Sequence, residues 1–464
     1  MLLRSLLFST LLIPCAISMW SVSSASAATV AVIDSGLDWR HKDLQGQIFI
    51  NPNDKDDGMD NDQNGYIDDI HGWNFAENNN EVIAYKYLGS FSNDPYKFFE
   101  LQLKSFKGII TQDEKDWINS KRKDEKFMAE LQKFGNFVHG THVAGICVKD
   151  HKENQAIGIK LIPTESPLAV KKILAKNPEL RKSAAIAGNE SKVMKILLNL
   201  LARQQMKTMA TVGAYTHSLH ADVANGSFGT GYDQALMIVK LLYREILKKD
   251  PSEEEAKSLA MGFMNSLVAE GKAFVNAAPK TLFVFAAGNE GTDNDTLPTS
   301  PTNIKTANTI SVAASFGQDS LAFFSNYGAT LVEVAAPGVG ILSTIPGGET
   351  MRVSGTSQAA PYVSNVAAEI KSINPKLSPA EVKQIIMGTV DRKSFLAGKV
   401  VSGGIVNPER AFEAARKSTG SPLSVSISSA RSNVRDVRSD ASQVHGFVQN
   451  RDVGMILPIL PMFN

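Results

Sequence analysis

Cysteine is nearly absent: the 464 residues contain two, Cys15 and Cys147. Cys15 lies in a stretch, Met1 to Ala27, that has the layout of a secretory leader. It carries one early cation at Arg4, an apolar run through Leu6, Leu7, Phe8, Leu11, Leu12 and Ile13, and a small-x-small end at Ala25-Ser26-Ala27. The box Leu12-Ile13-Pro14-Cys15 puts proline where lipid attachment wants a small residue, so Cys15 reads as incidental. Once the leader is removed only Cys147 remains, which excludes an internal disulfide even in an exported protein and leaves packing or metal to hold the fold. An excess of either charge is also lacking. Lys and Arg total 48 against 47 Asp and Glu, a formal net charge of +1, and so weak a field excludes electrostatic capture of nucleic acid or an anionic membrane. Beyond the leader no run is long and apolar enough to span a bilayer. These absences predict a secreted or periplasmic monomer without a stable membrane anchor, whose function rests on local chemistry.

Hydrophobic residues, by contrast, make up 43% of the chain, enough for one large core or two smaller ones. Four short β-branched or aromatic runs, Thr29 to Ile33, Ile159 to Ile162, Thr281 to Phe285 and Thr309 to Val312, are apolar on both faces and alternate with helical patterns. That pattern predicts an α/β fold, a doubly wound and mostly parallel sheet flanked by helices. Residues 84–135, 165–215 and 231–272 interrupt the rhythm with helical periodicity and read as insertions. The last of them contains a helix start at Asp250-Pro251-Ser252-Glu253. Residues 28–417 would form the main domain. Residues 418–464, rich in Ser, Arg, Asp and Val and ending in the apolar run Met455 to Phe463, form a C-terminal extension that is either flexible or packed onto it.

A serine hydroxyl becomes a useful nucleophile when an imidazole accepts its proton and a carboxylate fixes the tautomer of that imidazole. Asp34 ends the first apolar run and is followed by Ser35-Gly36, at the place where open α/β sheets put functional groups. His139 opens His139-Gly140-Thr141-His142-Val143-Ala144-Gly145, which reads as an exposed imidazole ahead of a tightly packed small-residue helix. His142, one turn further on, is expected to face the interior. Ser357, in Ser354-Gly355-Thr356-Ser357-Gln358-Ala359-Ala360-Pro361, is expected at a helix N-terminus, where orphan amides and the helix dipole favour developing negative charge. Phe228 and the small run Ala286-Ala287-Gly288 suggest a moderately apolar pocket.

In their order Asp, His, Ser, the three motifs resemble the subtilisin-like serine peptidases. The resemblance covers roughly residues 28–83, 136–162, 222–230 and 273–415. It implies a secreted endopeptidase that hydrolyses peptide bonds through an acyl-enzyme on Asp34, His139 and Ser357, and it assigns the oxyanion-donating side chain to Asn289 in Ala286-Ala287-Gly288-Asn289-Glu290-Gly291. It also assigns substrate pairing to Ser227, Phe228 and Gly229, beside the wall at Ala287 and Gly288. Protein or peptide substrates are the partners implied. The pattern departs in two ways. Gln358 stands where the family usually has methionine, which makes the leaving-group side more polar, and cleavage after Ala27 leaves almost no prosegment ahead of the strand of Asp34. Two other uses fit the same residues: a catalytically silent peptide-binding module, and a different acyl transfer such as peptide ligation.

One further stretch has chemistry of its own. Residues 54–71 crowd carboxylates together, and from Asp60 the oxygen ligands Asp60, Asp62, Asn64, Tyr66 and Asp68 fall at the spacing of a calcium loop, with Gly65 at the turn and His71 where a bidentate Glu would close the site. A structural calcium ion is the expected cofactor, a role the family resemblance strengthens.

Overall fold

The computed structural model describes residues 27–165 and 190–438. The leader up to Ser26, residues 166–189 of the second insertion and the tail from 439 onward, with its apolar run, lie outside the described residues.

The apolar runs become the middle of one sheet. In chain order its strands are β1 (Thr29–Asp34), β2 (Gly72–Asn74), β3 (Gln155–Lys160), β4 (Val223–Gly226), β5 (Leu282–Ala286), β6 (Thr309–Phe316), β7 (Ser320–Leu321) and β8 (Val334–Pro337). A separate hairpin, β9 (Ile341–Ile345) and β10 (Glu349–Val353), precedes two short strands, β11 (Asp391–Arg392) and β12 (Gly404–Ile405), which rejoin the main sheet. Across that sheet the order is β11-β12-β8-β6-β5-β4-β1-β3-β2, with β7 on β6, and only the β6–β7 and β11–β12 pairings are antiparallel. The fold is therefore the doubly wound α/β class. From β1 the chain first adds strands on one side, through β3 and β2, and then on the other, through β4, β5, β6 and β8. The order reverses beside β1, and the crevice at the carboxyl ends of the strands opens there, next to Asp34.

Helices cover both faces because alternate strand residues face opposite ways. Ala31, Ile33, Phe283 and Phe285 pack under α4 (Glu190–Ser218), α5 (Tyr232–Leu247), α6 (Glu253–Glu270) and α7 (Lys272–Asn276). Val30, Val32, Val284 and Ala286 pack on the other side, under α3 (Glu125–Cys147), α8 (Thr356–Ile373), α9 (Pro379–Gly388) and α10 (Pro408–Ser418). Ser252 caps α6, accepting the amide of Glu255. The first insertion builds α1 (Asp94–Phe106) and α2 (Gln112–Lys121) and runs into α3. These three share a third cluster, including Phe98, Phe99, Phe127, Phe134 and Phe137, with Ile345 of the hairpin.

The chain past 417 keeps packing. Helix α11 (Leu423–Asn433) buries Ser426 and Ala430 and lays Leu423 and Ile427 on the core. Behind it, buried Arg410 donates to Asp391 (2.9 Å), Asp436 (2.6 Å) and the carbonyl of Val434, while Val437 N donates to Asp391 (2.8 Å). The segment's hold on Arg410 runs through the exposed Asp436 carboxylate and the Val434 carbonyl, while the buried partner of that charge, Asp391, belongs to the core.

Candidate active site

The local reason His139 meets Asp34 is a pair of glycines. A Cβ at Gly140 would lie 2.1 Å from the carbonyl oxygen of Gly36, so only glycine lets α3 approach the end of β1 this closely. At that contact His139 Nδ1 and Asp34 Oδ1 are 2.7 Å apart, with the carboxylate fully buried. The Ser35 amide donates to the same Oδ1 and the Ser35 hydroxyl accepts the Gly140 amide, so both partners are held from either side. The expected exposed imidazole ahead of a helix is corrected here. His139 is 8% exposed and lies inside α3, not before it. The insertion extends the helix backward to an N-cap at Asp124, whose carboxylate accepts the amides of Lys126 and Phe127.

His142 is fully buried, as its spacing implied, and joins α3 to the hairpin. Its Nε2 lies 3.2 Å from the Ile341 carbonyl and 3.0 Å from that of Met351. Burial lowers its pKa to about 4. Ser343 and Thr344 return hydroxyl donations to the carbonyls of His142 and Thr141. A Cβ at Gly145 would sit 2.3 Å from Thr344 Oγ1, so this joint also needs a glycine.

Ser357 stands in the first turn of α8. Gly226 pairs with Ile33 across the sheet, so Ser227 is the neighbour of Asp34 on the next strand. The Ser357 hydroxyl donates to the Ser227 carbonyl at 3.1 Å, and the Ser227 hydroxyl donates to the Ser357 carbonyl at 2.9 Å. His139 Nε2 is buried and has no hydrogen-bond partner among the described residues. In this resting arrangement the hydroxyl has not turned to the imidazole, a rotation that commonly waits for substrate. Asn289 is oriented by α8 itself. Its Oδ1 accepts the Thr356 amide (2.8 Å) and hydroxyl (2.9 Å), capping an orphan donor of the helix, and this leaves Nδ2 buried and unpartnered. Gln358 is 1% exposed and its Nε2 likewise has no partner among the described residues.

Beside Ser357 is a narrow pocket of about 10 Å³, walled by Phe228, Gly229, Ala286, Gly288, Glu290 and Thr299 among others. Ala287, expected in that wall, instead packs away from it with Ala313, Val332 and Leu396. The strand alternates faces, so the neighbours of an inward alanine cannot share its direction. Glu290 was not anticipated as a wall residue. Its Oε2 accepts Asn326 Nδ2 at 2.7 Å, and burial raises its pKa against that hydrogen bond. A Cβ at Gly288 would lie 2.7 Å from the same oxygen, and one at Gly231 would lie 3.2 Å from Oε1. The glycines leave room for the carboxylate. A Glu within Gly-Asn-Glu-Gly, flanked by positions that tolerate no side chain, was the available clue.

The acidic loop is ordered by its own side chains. Asp60 accepts the amides of Asn64 and Gly65, Asp62 accepts the Asn64 amide, and Asn64 Oδ1 accepts that of Tyr66. Asp68, at φ 54°, accepts the amides of Asp57 and Gly58. Among the described residues no three His, Cys, Asp or Glu side chains form a metal-holding group. The compact set of Asp60, Asp62 and Asn64 is nonetheless all hard oxygen, the donor chemistry calcium takes. Asp69, buried behind it, is pushed up by burial against hydrogen bonds from Tyr215, Asn64 and Asn51.

A carboxylate, an imidazole, a helix-start hydroxyl and an amide set around the switch point of a parallel sheet, in the chain order Asp, His, Ser, define a distinct class of doubly wound protein. The subtilase family model matches residues 25–420. The chain belongs to the subtilase family. It is 26% identical over 409 residues to "Subtilisin-like protease 1" of Plasmodium vivax, an alignment covering 87% of this chain and 50% of that protein. It is 36% identical over 188 residues to the "Extracellular basic protease" of Dichelobacter nodosus, covering 35% of this chain and 30% of that one. The chain spans about half the length of the Plasmodium relatives it matches. Among solved structures, a cold adapted subtilisin-like serine proteinase aligns with a TM-score of 0.41 and 18% identity, over 83% of this chain and 88% of that one.

Proposed function

We propose that the protein is an exported serine endopeptidase, acting outside the cytoplasm on protein or peptide substrates. The observation that carries this reading is the buried 2.7 Å Asp34–His139 pair, whose Nε2 has no hydrogen-bond partner among the described residues, together with a helix-start serine held by Ser227, just past the strand partner of β1. In the proposed cycle the Ser357 hydroxyl turns from the Ser227 carbonyl and gives its proton to His139 Nε2 as Oγ attacks the scissile carbonyl. Asp34 stabilises the imidazolium, and Asn289 Nδ2 donates to the oxyanion with the amides at the start of α8. The imidazolium then protonates the leaving amine. Water, deprotonated by the same imidazole, releases the acyl group from Ser357. Turning away from Ser227 also frees that carbonyl to pair with an extended substrate backbone, next to Phe228 and Gly229. The narrow pocket favours a small side chain on the acyl side of the cut, because a large one would have to displace Phe228 or Glu290.

The acidic turn we read as a structural calcium site held by Asp60, Asp62, Asn64 and the Tyr66 carbonyl, with the Asp68 carboxylate committed to the amides of Asp57 and Gly58. A bound ion would neutralise the crowded carboxylates and cross-link the turn.

Labelling with a fluorophosphonate tests the nucleophile. Wild type should label and cleave casein while Ser357→Ala does neither. A folded wild type that neither labels nor cleaves would favour the silent peptide-binding module.

A further inference from the structure

A cavity of about 820 Å³ bordering the described residues lies apart from the narrow pocket, at the carboxyl ends of β1, β3 and β2. Its wall is locked to the frame of the active site. Leu37, three residues past Asp34, donates its amide to the Val82 carbonyl at 3.0 Å. The Tyr85 hydroxyl donates to Asp38 Oδ1 at 2.8 Å, and the Asp38 amide donates to the hydroxyl of Thr141, two residues past His139, at 2.9 Å. A ligand in the cavity would therefore be held in fixed register with Asp34 and His139.

Two cations that line this space, Arg40 and Lys86, form no ion pair with a described residue, and Arg40 is the one held against two rings, Lys86 lying over Tyr87 alone. The Arg40 guanidinium lies 4.6 Å from the ring centroid of Trp39 and 4.6 Å from that of Tyr85, and Trp39 is itself stacked on His71 at 4.2 Å. The guanidinium packs on both rings, and its N–H donors form no ion pair or hydrogen bond with any described residue. The other charges with a strong claim are taken. Buried Lys160 pairs with Glu77 at 2.8 Å, Glu165 pairs with Lys133 at 2.6 Å, and Asp68 accepts the two amides of its own loop. Asp56 and Glu81 stay exposed at the wall and would repel a polyanion. A single carboxylate is what the arrangement accepts: a planar fork of donors matches it bidentately, and a stacked arginine loses little freedom in binding it.

We propose that this cavity is an accessory substrate site that takes an acidic side chain of the peptide, with Arg40 as the group that holds it. The proposal rests on the peptidase reading for its substrate, and it adds a selection made away from the scissile bond.

The test uses internally quenched peptides that share one cleavable core and differ by a single Glu or Gln moved outward position by position. Wild type should prefer Glu over Gln about tenfold in kcat/KM at one outlying position, mainly through KM, as one charge-assisted contact at a half-wet site would give. Arg40→Gln should lose that preference and Arg40→Lys keep only part of it, with unchanged melting curves showing that both variants are folded. No Glu preference at any position, or a preference that survives in Arg40→Gln, overturns the proposal. Fluorescence anisotropy of the same peptides on Ser357→Ala separates the two readings. Arg40-dependent binding without wild-type cleavage keeps the site and removes the peptidase, whereas the absence of both removes both.

Discussion

His142 makes the folded protein sensitive to acid in a way that can be isolated. Its ring is fully buried between α3 and the β9–β10 hairpin, its Nε2–H is committed to two carbonyls, and a second proton on Nδ1 would place a charge where no partner exists. Burial therefore holds its pKa at about 4, against 6.5 in the unfolded chain. Because the folded value is the lower one, the unfolded chain takes up the proton first. The contribution to stability is complete above pH 6.5 and is lost as pH falls towards 4. That fall corresponds to about 3 kcal/mol. His142→Gln retains an amide donor for the carbonyls but cannot titrate. Urea unfolding of both proteins at pH 7 and pH 4, followed by tryptophan fluorescence, should show wild type losing about 3 kcal/mol more than the variant. Carboxylates whose pKa burial raises, Asp69 and Glu290 among them, are common to both proteins and cancel in the difference. Equal losses in the two proteins would refute the account of His142 as a neutral, buried joint.

Three other outcomes follow from the same geometry. Asn289→Ala should lower kcat on the order of 100- to 1,000-fold with little change in KM, the order of magnitude for losing one oxyanion donor; an unchanged kcat would remove Asn289 from the chemistry. Gln358→Met replaces a buried amide whose nitrogen has no partner, so chemical denaturation should find the variant more stable by about 1 kcal/mol or more, and peroxide should then inactivate an enzyme that wild type protects. Deleting residues 423–464 strips Leu423 and Ile427 from the core and leaves Arg410 without Asp436 and the Val434 carbonyl. Calorimetry should show a loss of about 3 kcal/mol or more, and an unchanged melting temperature would mean that α11 adds nothing to stability.

The sequence by itself determined the sheet and the identity of the reactive groups. Runs such as Thr29 to Ile33 and Thr281 to Phe285 are apolar on both faces, and only a strand covered on both sides can use them. The glycines and other small residues after His139 marked a tightly packed helix before any distance was known. Where those groups sit was decided by the tertiary structure, because it depends on contacts between segments a hundred residues apart. The first insertion turned His139 from the head of a helix into its interior. Strand alternation sent Ala287 away from the pocket, the loop beyond β5 brought Glu290 into its wall, and Asp68 committed its carboxylate to the amides of Asp57 and Gly58. Arg40 carried no motif at all: its setting arises only where residues 82–87 fold back onto the end of β1. Periodicity and composition are local properties that a chain can display unaided, whereas burial, pKa and the pairing of a charge exist only once distant residues have come together.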